Sequence, residues 1–346
     1  MPQHVMSELV RRRLATASRA LSVSDPNADV GGLLERTFWL PAGDPKYAAN
    51  ALTPGAAPCE PRFDENAPQV LTITIEPLAP GSSPVSRRDE ATREMRRLVA
   101  PNFGREALRW FDGRSEDWRG FGAPGSLEYG AWFGTSHDEG GLRSSSVYYE
   151  LHPQQMDGLS PQLGSMVRSA RELLPRLVPV FTTITCGRGR GEQRVTFLHD
   201  GPLRLNDLEP LMRQLGLGHR LSGLMRVVGL VLGGRFDLPP RSVLVGLRAA
   251  ERGVELDLEV MLDMIPDVPP AFLDLLALGL AERPRELRGL GRWLHAFTPE
   301  SSRGPGDIST LHVRTTAEQA PRVSLHLRPV EFEVRSAAHA VGAGAA

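Results

Sequence analysis

Alternation of apolar and polar side chains is clearest near the end of the chain. Leu311 and Val313 alternate with His312 and Arg314, and Val323, Leu325 and Leu327 alternate with Ser324, His326 and Arg328. This two-residue period predicts strands with one buried face, joined into a hairpin through the polar residues Glu318 and Gln319. Four earlier stretches carry a similar pattern. Leu71, Ile73 and Ile75 share one side of a strand over residues 70–77, and residues 46–52 are the candidate for its partner, with a Pro-rich turn over 54–68 between them. A second hairpin runs over 127–135, turns through His137 to Gly141 and returns over 145–151. The third joins 180–185 to 194–198, and the fourth joins 242–247 to 254–260 across a turn at 251–253.

Helical spacing fills the gaps between these hairpins. Val5, Leu9, Val10, Leu14 and Leu21 predict an amphipathic opening helix within residues 1–22. Helices are expected over 86–98 and 105–111, broken by Pro101 and Gly104, and over 161–174, 206–215 and 220–232. Pro269 and Pro270 open a last helical layer that runs to Trp293 and is divided at Pro284. Hairpins alternating with helices predict an α+β fold: an antiparallel ten-stranded barrel of five hairpins, apolar outside under a ring of helices and polar in the lumen. It would occupy residues 1–335 as one domain, with 336–346 a flexible tail. An open sheet with its polar face in water is the alternative.

Composition narrows the partners. The 346 residues include 41% hydrophobic ones, enough for a large core, and a formal charge of −1 argues against nucleic acid or an anionic membrane. No apolar run reaches the roughly 20 residues that span a bilayer. Cys59 and Cys186 are far apart and outside any CxxC spacing, so neither a disulfide framework nor a thiolate zinc site is expected, and a cytoplasmic location fits. Lys46 is the only lysine, which argues against Schiff-base chemistry.

Candidate chemistry concentrates on the polar strand faces. Glu255, Asp257 and Glu259 share one side of their strand, and His312, Arg314, His326 and Arg328 share one side of the last hairpin. Clustered carboxylates raise one another's pKa, so Asp257, Glu259 and Glu150 are candidate proton donors, with His312 and His326 as relays. Tyr148 and Trp132 could stack on an aromatic substrate or shield a carbocation. A solvated strand face explains the same acids as readily. The glycine run from Cys186 to Gly191 lacks the Lys-Ser/Thr end of a phosphate loop and reads as a hairpin turn. His137 and Asp138 fall in a turn, where surface polarity accounts for them, and Glu76 beside Pro77 reads as structural.

The order and spacing of these hairpins resemble the ABBA prenyltransferases, and among them the indole, dimethylallyltryptophan synthase type. The likeness is carried by Ile73-Thr74-Ile75-Glu76-Pro77, Ser146-Val147-Tyr148-Tyr149-Glu150, Val254-Glu255-Leu256-Asp257-Leu258-Glu259 and Arg322-Val323-Ser324-Leu325-His326-Leu327-Arg328-Pro329. The resemblance implies a prenyltransferase barrel that binds a prenyl diphosphate and an electron-rich aromatic ring. It also implies departures. The arginine expected two residues before Thr74 is Thr72, and the Lys-x-Tyr of the second hairpin is Tyr148-Tyr149-Glu150. In the fourth hairpin Lys-x-Tyr becomes Asp257-Leu258-Glu259, the tyrosine of the fifth becomes His326, and the first-strand glutamate that accepts the indole N–H proton falls near Ala48 or Ala49.

Carboxylates where the resemblance places cations repel a diphosphate. The leading expectation is therefore a biosynthetic enzyme of natural-product metabolism with an acidic lumen, which promotes acid–base bond formation or cyclisation on an indole-like or isoprenylated molecule without a cofactor. An aromatic prenyltransferase that grips its diphosphate through arginines such as Arg194, Arg248, Arg314 and Arg328 is the alternative. In that case Glu150, Asp257 and Glu259 could hold a bridging magnesium ion. A non-catalytic carrier of a hydrophobic ligand is the third reading.

Overall fold

The computed structural model describes residues 5–78, 80–120, 126–189, 191–250 and 253–334. The expected tail over 336–346 and two residues of the fourth hairpin turn, 251 and 252, lie outside them. Ten strands close into an antiparallel barrel. In chain order these are β1 (Cys59–Asp64), β2 (Leu71–Ile75), β3 (Ala131–Asp138), β4 (Gly141–Glu150), β5 (Leu177–Gly187) and β6 (Gly191–His199). A two-stranded ribbon, β7 (Leu203–Arg204) with β8 (Asp237–Leu238), stands apart from the barrel. β9 (Val243–Ala250), β10 (Gly253–Met261), β11 (Gly306–Thr316) and β12 (Arg322–Pro329) complete it, and β12 pairs with β1 to seal the cylinder.

The alternation that predicts strands also predicts their two environments. Val147, Val195, Phe197, Val245, Leu247, Leu256, Leu258, Val260, Leu311, Val313 and Leu325 are fully buried on the outside of the barrel, beneath helices. Burying such a side chain contributes about 1.5–3 kcal/mol, so a one-residue slip in any strand would exchange this layer for the polar one. The covering helices are α1 (Met6–Leu21), α2 (Asn27–Thr37), α3 (Pro84–Arg119), α4 (Pro161–Leu173), α5 (Glu209–Gln214), α6 (Leu221–Val231), α7 (Phe272–Gly279) and α8 (Pro284–Phe297). None of the described helices is long and apolar enough to cross a membrane. α8 packs Trp293 against Phe63 of β1 with ring centroids 5.9 Å apart. Helix α3 starts where the Ser83 side chain accepts a hydrogen bond from Ser86 N, and it breaks at Gly104, whose φ of 90° is left-handed. Its second half runs on to Arg119, beyond the expected helix over 105–111.

The first hairpin departs most from expectation. Residues 46–52 form no strand: Asp44 caps a single 3₁₀ turn, Pro45–Ala48, by accepting from Lys46 N. The backbone N–H groups of Ala51 and Leu52 then donate to buried Glu76, which also pairs with Arg87 at 2.7 Å. That confirms Glu76 as a structural anchor. The true first strand lies inside the stretch read as a Pro-rich turn. Pro61 is tolerated because β1 pairs with β2 over 59–62 but with β12 only from Arg62 onward, so the missing N–H falls where no second partner needs it. His137 departs too. It ends β3 on the outer face, completely buried, with Nδ1 3.6 Å from Asp29 Oδ2 and neither ring nitrogen hydrogen-bonded.

Two outcomes follow from this packing. Gly130 has φ of 84°, and a Cβ there would lie 1.9 Å from the Pro84 carbonyl oxygen, so Gly130→Ala should cost more than about 2 kcal/mol in denaturant unfolding. Burial lowers the His137 pKa to about 4 from 6.5. Between those values the unfolded chain binds the proton more readily. Stability present above pH 6.5 should therefore fall as the pH drops towards 4, by up to about 3 kcal/mol. Thermal unfolding across this range, compared with His137→Leu, reads the difference, and matching slopes in the two proteins would refute it.

Candidate active site

The polar face lines a cavity of about 590 Å³ that opens at the end of the barrel where the hairpins turn. Six arginines border it, Arg62, Arg143, Arg188, Arg194, Arg248 and Arg314, against four carboxylates, Asp64, Asp138, Glu192 and Glu255. Arg248 holds Glu192 and Glu255, and Arg188 lies 2.8 Å from Asp138. Arg62 and Arg143 form no ion pair among the described residues, and Arg62 Nε is buried without a hydrogen-bond partner. With Asp257 and Glu259 beneath Arg194 and Arg314, six guanidinium groups face six carboxylates, so the lumen is charge-balanced and not the acidic one expected.

Below this cavity Asp257 and Glu259 lie beside the guanidinium of Arg194, at 2.9 and 2.7 Å. Asp257 also meets Arg314 at 3.2 Å and His312 Nε2 at 3.1 Å. Burial alone would raise both carboxyls. The His312 ring and the Arg314 and Arg194 guanidinium groups outweigh it at Asp257 and hold it well below the usual carboxylate range, and Arg194 leads the same reversal at Glu259. Burial opposes charge on Arg194 and Arg314 as well, yet the neighbouring carboxylates raise both above the ordinary guanidinium range. Burial lowers His312 against the pull of Asp257. Asp257 and Glu259 are thus anions locked to cations, and the expected proton donors are replaced by a neutralising frame.

Glu150 also leaves the expected set. Its oxygens accept from the backbone N–H groups of Glu128, Tyr129 and Gly130, between 2.8 and 3.0 Å, so it anchors the approach to β3. The magnesium site drawn from Glu150, Asp257 and Glu259 does not fit, because Arg194 stands between the last two and the first is committed to backbone. Among the described residues no group of three or more His, Cys, Asp or Glu side chains is arranged to hold a metal. Arg328 pairs with Asp263 and Asp307, each at 3.2 Å, and does not border the cavity. Thr72 does, bonded to Ser136 at 2.9 Å.

Two site residues escaped the sequence pattern because Pro61 disguised their strand. Arg62 stands directly opposite Thr72 in the register, so a cation missing from β2 is present on β1. Glu60, one inward step deeper and opposite Thr74, is the carboxylate of the true first strand, in place of the position sought near Ala48 or Ala49. It is buried, lies 2.7 Å from His326 Nδ1 and accepts from the Ser309 hydroxyl at 2.8 Å. The alternation Glu60, Arg62, Asp64 against Cys59, Pro61, Phe63 was the available signal. On the opposite wall Trp132 stacks on Tyr129 at 4.6 Å and meets Phe181 edge-on at 5.6 Å, with Tyr148 also against Phe181 at 5.7 Å. Arg194 lies over the Phe181 ring at 5.8 Å. The site therefore combines an arginine-lined mouth, an aromatic wall and a buried carboxylate.

No family model matches the sequence, and no curated protein matches it. Solved structures match it over nearly its whole length. 6-Dimethylallyltryptophan synthase from Micromonospora olivasterospora, in complex with DMASPP and Trp, has a TM-score of 0.74 at 17% identity, covering 96% of this chain and 99% of that one. 5-Dimethylallyl tryptophan synthase from Streptomyces coelicolor, in complex with DMASPP and Trp, gives 0.68 at 17% identity, with 96% and 97% covered. The prenyltransferase PriB, in a ternary complex with L-tryptophan and dimethylallyl thiolodiphosphate, gives 0.67 at 16% identity, with 96% and 98% covered. The chain has the prenyltransferase-barrel fold that its hairpin order resembles.

Removing Asp257 leaves Arg194 with Glu259 alone, Arg314 with Glu255 at 3.6 Å, and the buried network short of one charge. Asp257→Ala should lower stability by about 3–5 kcal/mol, seen as a fall of several degrees in Tm. An unchanged Tm would contradict this placement.

Proposed function

We propose that the protein is an aromatic prenyltransferase that joins the prenyl group of an allylic diphosphate to an indole-type ring. One observation carries this reading: the arginine-lined mouth, where Arg62 and Arg143 form no ion pair among the described residues, stands above the buried carboxylate Glu60. Solved structures of this fold bound to DMASPP and Trp support it. The observations favour it over acid–base cyclisation, since the carboxyls that cyclisation needs as donors are held as anions.

In this reading the diphosphate lies against Arg62 and Arg143, whose donors are not taken up by an ion pair among the described residues and stabilise the charge that grows as the allylic C–O bond breaks and its electron pair leaves with the phosphate. Tyr148 and Trp132 present ring faces to the allylic cation and exclude water from it. The acceptor ring donates its N–H to Glu60, which enriches the ring in electrons, and a ring carbon forms the new C–C bond. The proton on that carbon passes to the released diphosphate, and aromaticity is restored. His326 and Ser309 hold the Glu60 carboxylate in place. The arginines supply the positive charge that a metal would otherwise bring.

Incubation with dimethylallyl diphosphate and L-tryptophan should release diphosphate and yield a product heavier by one prenyl group. Glu60→Gln should cut turnover by about 10²–10⁴-fold with donor binding retained. Arg62→Ala should weaken calorimetric binding of dimethylallyl diphosphate by about 10–100-fold. Absence of donor binding in the unmodified protein would overturn the proposal, and binding without turnover on any indole acceptor would favour the carrier.

A further inference from the structure

The lumen does not end at its rim. Its cavity shares Ala67, Val70, Asp138, Arg143 and Arg188 with a shallower groove of about 450 Å³. That groove shares Gln69, Arg285 and Arg292 with a third depression, of about 670 Å³, lying along α8. The three form one track from the catalytic end of the barrel over the surface.

The charge along this track is unbalanced. Arg285, Arg288, Arg292 and His295 recur every three or four residues, so they stand on one side of α8, while Leu290, Trp293 and Phe297 on the other side are buried. All four are exposed and form no ion pair among the described residues, and neither does Arg143 across the groove. Elsewhere some exposed arginines are paired, as Arg213 with Glu209, Arg241 with Asp200 and Arg204 with Asp237, and others, such as Arg105, Arg168 and Arg171, form no ion pair among the described residues; what sets α8 apart is four such groups on one side of a helix that borders the groove. Like charges at these helical spacings repel one another. The chain carries 41 acidic residues, so the missing counter-ions do not reflect a shortage.

We infer that this track seats an acidic polypeptide segment, which presents the acceptor ring to the lumen as one of its aromatic side chains. The inference rests on the prenyl-transfer reading of the lumen and specifies its substrate. A free indolyl amino acid is accommodated by the lumen alone and makes no use of α8. From Arg285 to His295 the helix advances about 15 Å, the reach of about four or five extended residues. The apolar side of α8 is packed on the core, so α8 has no apolar face to insert into a lipid surface. A nucleic acid would bring a phosphate against Asp138 and Glu139 on the groove's rim, where a peptide can place a neutral residue.

Two short synthetic peptides test this, each with one central tryptophan, flanked in one by glutamates and in its twin by glutamines. Fluorescence anisotropy should show the acidic peptide binding about ten-fold tighter, with the preference fading as salt rises. The combined substitution Arg285→Gln, Arg288→Gln, Arg292→Gln should erase that preference while binding of dimethylallyl diphosphate and turnover of free L-tryptophan stay at the unmodified level. Equal affinity for the twins, a preference that survives the triple substitution, or equally strong competition by oligothymidylate would overturn the inference. Failure of prenyl transfer itself would show separately, as no binding of dimethylallyl diphosphate by the unmodified protein.

Discussion

The barrel depends on how Arg194, Arg314, Asp257 and Glu259 neutralise one another inside it. An isolated charge taken from water into a protein interior costs several kcal/mol, and attraction between partners offsets this only when the geometry is close and the hydrogen bonds are filled. Here one guanidinium touches two carboxylates, and one of those carboxylates touches a second guanidinium and an imidazole. The group lies on β6, β10 and β11, so it ties together strands whose outer faces are held only by apolar packing.

That frame changes what the lumen can attract. Acids on the inward side of β10 suggest an anion-repelling pocket when each strand is read alone. Inside the closed barrel those acids are consumed by Arg194 and Arg314, and Arg62 and Arg143 at the mouth are left without an ion pair among the described residues. The cation sought at the position of Thr72 has a counterpart in Arg62, directly opposite it on the neighbouring strand. Strand closure permits such a counterpart because directly opposed residues in an antiparallel pair point into the same space.

The same closure brings the rim and the outer helices into one surface. The β1–β2 loop meets α8, where a Cβ on Gly289 would lie 2.3 Å from Pro68, so the mouth of the lumen and the arginine side of α8 are rigidly adjacent.

The sequence by itself determined the repeating architecture, because a two-residue period and a helical period cannot be exchanged without exposing the core: four of the five hairpins, the helix Pro161–Leu173 and the break at Gly104 follow from local pattern. It also named Tyr148, Trp132, Glu255, Arg314 and Thr72 as lumen residues, since parity along a strand decides which face a side chain takes. Tertiary structure decided the rest. Pro61 hid β1 from any local rule, and only the pairing of that strand with β2 and β12 placed Glu60 and Arg62 in the site. The roles of Asp257, Glu259 and Glu150 likewise depended on partners distant in the chain, because the charge state of a buried carboxyl is set by the cations and N–H groups that folding brings to it.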